Sequence, residues 1–289
     1  MSNMHKTRIK LKSQIIFFGF LGILIISCQS NKTKTLEKSE FLTDSLYSKN
    51  LSEYRKYNVY LPKGFNKEKQ YPIIYATDGN SNLTDKKTLL DSLINNKIIK
   101  PLILVASFAN RKIADSTSMT IGNGKKHNLA YRYFEYVNQE FPEDNKYPHL
   151  EDTFKNHLNY FSKELIPYVE KELEQSTTRN DRYFYGASNG AGFGLSLLNI
   201  KPELIGTYLC FSPFAGDIQS NTSWNIGTQY PNLYYRYASE EFFLEGDVEF
   251  LKSKYKESNS NIEVKEFEGK HNDKFWEIEF IEVTSRILK

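Results

Sequence analysis

Cysteine is almost absent: the 289 residues contain two, Cys28 and Cys210. That excludes a disulfide-stapled scaffold and a cysteine cage for a metal, and no His-x-x-x-His spacing offers a metal site of another kind. An excess of charge of one sign is lacking too. The formal balance is +3, and Lys6, Arg8, Lys10 and Lys12 all lie in the N-terminal segment. Elsewhere bases are interleaved with acids, as in Lys163-Glu164 and Glu170-Lys171-Glu172. That is the pattern of a solvated helix face and not of a phosphate-binding stripe, so nothing points to nucleic acid as a partner. What the chain has in quantity is apolar material, 39% hydrophobic and 15% aromatic. This is enough for a large packed core in one α/β domain or two small ones.

The N-terminus reads as an address. Its basic residues precede an uncharged run from Ile15 to Ile26, short for a bilayer span but of signal-peptide length. The run ends in Ile25-Ile26-Ser27-Cys28, which resembles the lipobox of bacterial lipoproteins. The resemblance implies a signal peptide over 1–27 and a lipid anchor on Cys28. The domain would then sit in the cell envelope, periplasmic or on the outer membrane. Residues 28–40 are polar and lysine-rich and read as a tether. Cys210, alone in the mature chain and flanked by Leu209 and Phe211, reads as a buried strand residue.

From Phe41 onward short apolar stretches alternate with helical patterns. Strands are expected at Tyr57–Leu61, Pro72–Ala76, Leu102–Ser107, Arg182–Tyr185, Thr207–Phe211, Leu233–Tyr237 and Ile262–Phe267. Helices are expected at Leu89–Asn95, Ala191–Asn199, Phe243–Glu257 and from Asp273, with the strongest period over Thr153–Glu174 kinked or restarted at Pro167. Alternation of this kind predicts a mainly parallel sheet covered on both faces, with the first strands antiparallel at an edge. The segment from Arg111 to Glu151 has few strand signals and an aromatic cluster of Tyr131, Tyr133, Phe134, Tyr136 and Phe141. It reads as a lid-like insertion whose aromatic residues would wall the substrate or form a satellite core.

Gly186-Ala187-Ser188-Asn189-Gly190 lies between a strand candidate and a helix candidate. A serine forced onto a tight strand-to-helix turn is exposed, and the helix N-terminus favours developing negative charge beside it. A nucleophilic serine needs a neutral imidazole as base. Of the five histidines, His271 follows the last strand candidate, in Glu268-Gly269-Lys270-His271-Asn272. An acid should follow the strand Leu233–Tyr237, and Glu240, Glu241 and Asp247 are the candidates.

Several segments are shared with one family. They are Tyr57-Asn58-Val59-Tyr60-Leu61-Pro62-Lys63-Gly64-Phe65, Tyr71-Pro72-Ile73-Ile74-Tyr75-Ala76-Thr77-Asp78-Gly79-Asn80, Glu164-Leu165-Ile166-Pro167-Tyr168, the serine turn, Lys201-Pro202-Glu203, Ser212-Pro213, and His271 before Trp276. In this order they resemble the α/β-hydrolase esterases that include enterochelin (siderophore) esterases, S-formylglutathione hydrolase, feruloyl esterases and mycolyltransferases. The resemblance covers about Phe41 to Lys289. It implies an α/β-hydrolase fold and hydrolysis of a carboxylic ester, from a small molecule or an oligosaccharide, through an acyl-serine, with no metal or organic cofactor.

By the same resemblance Ser188, His271 and Glu241 form the triad, with Glu241 at the matching offset although Ala238 replaces a glycine. The oxyanion donors would be the backbone N–H groups of Asn189 and Asn80, with Gly79 letting the backbone approach the substrate. Asp78, Arg132, Glu135 and Tyr136 would lie at the substrate site. A siderophore-esterase-like activity is the first expectation. A polysaccharide-linked feruloyl or acetyl esterase, an acyltransferase, and a non-catalytic envelope binding lipoprotein are the alternatives.

Overall fold

The computed structural model describes residues 35–81, 83–120, 126–141, 147–216, 218–220, 222–271 and 273–289. The expected signal segment, Cys28 and most of the expected tether therefore lie outside the described residues. Ten strands are present among them: β1 Glu40–Ser48, β2 Glu53–Leu61, β3 Ile73–Ala76, β4 Ile103–Ser107, β5 Ile113–Thr120, β6 Lys126–Ala130, β7 Arg182–Ala187, β8 Thr207–Phe211, β9 Asn232–Ala238 and β10 Ile262–Phe267. The helices are α1 Leu83–Asn95, α2 Tyr131–Tyr136, α3 Thr153–Asn159, α4 Ile166–Glu172, α5 Asn189–Ile200, α6 Glu245–Glu257 and α7 Asp273–Ile287.

Eight strands form one sheet in the order β1-β2-β4-β3-β7-β8-β9-β10. β1 and β2 are antiparallel to each other, and β2 is antiparallel to β4. All the other pairings in that sheet are parallel. The central strands β3, β4 and β8 are buried at every position and largely apolar, with successive side chains pointing to opposite faces, whereas β10 at the sheet edge carries exposed Lys265 and Glu266. Ile73, Tyr75, Ile103, Val105, Tyr208 and Cys210 enter one core, shared with Phe161, Val169, Phe193, Leu197 and Leu251 of the helical layer. Ile74, Ala76, Leu104, Ala106, Leu209 and Phe211 enter the other, beneath α1 and α7. Burial pushes the Cys210 thiol well above its ordinary range.

Three features depart from expectation. The chain is already held before residue 40, within the segment expected to be a tether. Leu36 exchanges backbone hydrogen bonds with Phe65 and Gly64, and β1 begins at Glu40. β1 carries no apolar run because it is an edge strand with mostly exposed side chains. The insertion contains an antiparallel β5–β6 hairpin with an irregular register between Ile113 and Ser118. The helix over Thr153–Glu174 is neither simply kinked nor simply restarted, since a π-helical turn over Tyr160–Leu165 joins α3 to α4. Ile166 N–H bonds Phe161 O, five residues back. This widened turn precedes Pro167, which has no N–H to offer.

The aromatic cluster of the insertion makes a satellite core and not a substrate wall. Phe134 packs on Tyr133 and Phe141 at 5.3 and 6.5 Å, with Ala114 and Leu150 beneath them. Tyr136 alone of the set joins the main core, against His157 and Phe193.

Candidate active site

Because β3, β7, β8, β9 and β10 are parallel, the loops after them converge at one edge of the sheet. Ser188 sits between β7 and α5 with φ 56° and ψ −131°. This conformation is sparsely populated for any residue with a Cβ and persists only where the surroundings hold it. Here Ser188 N–H donates to Phe211 O at 3.0 Å, and Ser188 O accepts from Gly192 and Phe214 N–H, each at 3.0 Å. The flanking glycines are required by space. A Cβ on Gly186 would lie 2.5 Å from Gly190 O, and one on Gly190 would lie 2.2 Å from Thr77 Oγ1.

His271 follows β10, and its Nδ1 lies 2.5 Å from Glu241 Oε1. Its ring meets Trp276 edge-on at 4.7 Å. Glu241 follows β9 and is 2% exposed. Its Oε2 accepts from Ser212 Oγ and from Ala238 N–H, both at 2.7 Å. Trp276 Nε1 in turn donates to Ser212 Oγ at 2.8 Å. Burial pushes the Glu241 carboxyl up, but hydrogen bonds from His271, the Ala238 amide and Ser212 outweigh it and leave it below the ordinary value. The carboxylate is thus charged at neutral pH and fixes one face of the imidazole. Among the described residues no hydrogen bond joins Ser188 Oγ to that ring. Such contacts are often loose before substrate binds.

The loop after β3 runs through Asp78 at φ 59°. Gly79 N–H donates to Ser107 O at 2.7 Å, and Asn58 Nδ2 donates to Gly79 O at 2.6 Å. Asn80 clasps Ala109 with both ends of its amide, at 3.0 and 3.1 Å. The main chain at 78–80 is thereby held in one place. Asn189 opens α5, where the first N–H groups have no intrahelical partner. Between these loops lies a cleft of about 450 Å³ that Ser188 lines with Thr77, Asp78, Arg132, Tyr185 and Trp276.

The family model described as "Putative esterase" matches residues 48–287. The chain belongs to this esterase family. It is a serine carboxylic ester hydrolase with the α/β-hydrolase fold. Solved structures similar to it include a ferulic acid esterase from the anaerobic fungus Anaeromyces mucronatus, in complex with ferulic acid, at 19% identity over 88% of this chain and 93% of that one, TM-score 0.62. An IroE-like serine hydrolase from Shewanella oneidensis matches at 18% identity over 86% and 80%, TM-score 0.60. S-formylglutathione hydrolase from Staphylococcus aureus matches at 12% identity over 89% and 99%, TM-score 0.61. At these identities the likeness is one of fold.

Of the three acids considered for the esterase, Glu241 is the one bonded to His271. Glu240 is exposed, and Asp247 lies in α6. The residues expected at the substrate site divide. Asp78 and Arg132 line the cleft. Glu135 does not: it is 3% exposed and forms a two-pronged ion pair with buried Arg55, at 2.6 and 2.9 Å. Tyr136 is fully buried, with its hydroxyl 3.4 Å from Asp78 N. Gly79 packs on the neighbouring strand. A Cβ there would lie 2.2 Å from Ala106 O, so packing on β4 already requires the glycine. Ser212 and Trp276, which hold Glu241 in place, were legible only as shared motifs. Nothing local in their sequence reveals the bonds they make.

Proposed function

We propose that Ser188, His271 and Glu241 carry the reaction and that the ester hydrolysed is acidic and aromatic, of the catecholate siderophore class. His271 takes the proton of Ser188 Oγ as the hydroxyl attacks the acyl carbon. The N–H groups of Asn80 and Asn189 receive the oxyanion. The imidazolium returns the proton to the departing alcohol, and water repeats the cycle on the acyl-serine. The Glu241–His271 bond at the serine-bearing edge of the sheet is the observation that carries the triad.

The substrate class is supported by the cleft lining. Four basic residues, Lys86, Arg111, Arg132 and Lys274, line it against two acidic ones, Asp78 and Glu277, together with Tyr185 and Trp276. A cationic rim around aromatic surface favours a phenolate-bearing ligand over a neutral one. Lipidation of Cys28 would hold the esterase in the cell envelope, where such a ligand is met.

The test combines labelling with a substrate panel. A fluorophosphonate probe should modify Ser188 in the wild type and nothing in Ser188→Ala. The kcat/KM for a catecholate ester should exceed that for a feruloyl oligosaccharide and for an uncharged phenyl ester. A preference for the feruloyl ester would move the proposal to polysaccharide deacylation. An unlabelled Ser188 in folded protein would remove the triad.

A further inference from the structure

Arg132 touches both loops that flank the serine turn. It lies in the first turn of α2, which is pinned to the segment after β4 by Arg132 N–H to Asn110 O at 2.8 Å and Tyr131 N–H to Lys112 O at 2.9 Å. Its Nε and Nη2 lie 2.5 and 2.8 Å from the two carboxylate oxygens of Asp78. Its Nη1 lies 2.8 Å from Asn189 Oδ1. The guanidinium also rests on the Tyr136 ring, 5.0 Å from its centroid. Each of the three guanidinium nitrogens therefore already donates within the protein, in a planar fork that matches a carboxylate on one side and an amide on the other.

The two residues it joins have the same relation to the chemistry. Asp78 precedes Asn80 by two positions and is held at a left-handed φ of 59°. Asn189 directly follows Ser188, and its remaining side-chain group donates to Phe214 O at 3.3 Å. Asn80 and Asn189 are the residues whose backbone N–H groups receive the oxyanion in the reading above, on which this inference rests. We propose that Arg132 is a positioning residue. It ties the loop after β3 to the start of α5, and so sets the separation of the two oxyanion amides. The insertion thereby acts as a clamp on the oxyanion hole. Donor placement matters steeply, since a shift of about 1 Å can cost about 10²-fold in rate.

The experiment compares Arg132→Met, Arg132→Lys, Asn189→Ala and Asp78→Asn with wild type on p-nitrophenyl acetate, a substrate too small and uncharged to need a guanidinium partner. Binding of a trifluoromethyl ketone, whose adduct places an oxyanion in the hole, is measured alongside. Arg132→Met should lower kcat about 10- to 1000-fold with KM changed less than about threefold, and weaken the ketone by a similar factor to kcat. Arg132→Lys should recover little, because an ammonium cannot bond Asp78 and Asn189 in one plane. Asn189→Ala keeps the backbone donor and removes one anchor. It should lower kcat by a smaller factor and add little to Arg132→Met.

Wild-type kcat with a raised KM in Arg132→Met would make Arg132 a substrate-binding residue and overturn the proposal. If that variant fails to fold, Asn189→Ala and Asp78→Asn decide, and wild-type kcat in both overturns it. Undiminished turnover in Ser188→Ala would instead strike the triad itself. That outcome is distinct from an unchanged kcat in an Arg132 variant whose Ser188 still takes the fluorophosphonate.

Discussion

His271 Nδ1 and Glu241 Oε1 meet at 2.5 Å although 30 residues separate them in the chain. The second carboxylate oxygen is held by Ser212 and the Ala238 amide, so the acid cannot turn away from the ring. Glu241→Gln should lower kcat by about 10²- to 10⁴-fold, because the amide orients the imidazole poorly and no longer stabilises its charged form. The rise of kcat/KM with pH should move to lower pH in that variant. Glu240→Gln, on an exposed side chain, should keep both rate and profile. pH–rate curves on p-nitrophenyl acetate check this. A shift confined to Glu240→Gln or Asp247→Asn would transfer the role of the acid.

The serine turn stores backbone strain. At φ 56° and ψ −131° Ser188 occupies a region that glycine enters without steric cost. Ser188→Gly and Ser188→Ala should both lose esterase activity. Ser188→Gly should nevertheless be the more stable of the two by about 1 kcal/mol, the strain of a side chain in such a region less the extra entropy of a glycine in the unfolded chain. Guanidinium chloride unfolding of the two inactive variants measures the difference. A less stable glycine variant would show that the turn is unstrained.

Arg236 in β9 is fully buried. It pairs with Glu279 at 3.0 Å, with Glu282 at 3.2 Å, and with Glu263. Arg236→Met would leave the buried Glu279 carboxylate with the half-exposed Lys265 as its remaining partner, at 2.8 and 2.9 Å, and should cost about 2 kcal/mol, less than the loss of a sole partner. The half-exposed Glu263 and Glu282 add little through solvent. Both of those carboxyls lie below their usual value of 4.5. For Glu263 the first cause is the hydrogen bond from Arg286, with Arg236 adding to it. For Glu282 burial opposes the shift, and bonds from Arg286 and Arg236 overcome it. Lowered carboxyls contribute stability that is complete above the unfolded value and is lost as pH falls through the folded one. The gap between wild type and Arg236→Met should therefore narrow below about pH 4.5. Urea midpoints across that range test it, and a gap independent of pH would exclude the linkage.

The proposed lipid anchor predicts that Cys28→Ser abolishes metabolic labelling with palmitate and releases the esterase from membranes, with turnover of the soluble fraction unchanged. Continued membrane attachment without label would mean that the apolar segment from Ile15 to Ile26 stays on the chain.

The sequence by itself determined the local parts of this molecule. A strand buried on both faces must be largely apolar along its length, so β3, β4 and β8 were legible, as was the order of Ser188 and His271 along the chain. The Gly-x-Ser-x-Gly turn was legible because close packing on both sides admits only glycine. β1 was not, since an edge strand with solvent on its side chains needs no apolar run.

Only the tertiary structure decided the rest. It bonds Glu241, and neither Glu240 nor Asp247, to His271, and it turns Glu135 away from the cleft toward Arg55, 80 positions distant. It also brings Arg132 to Asp78 across 54 positions and to Asn189 across 57. A charged side chain has no intrinsic partner. Burial and the geometry of distant loops choose one, because a charge removed from water must be paired wherever the fold happens to place a complementary group.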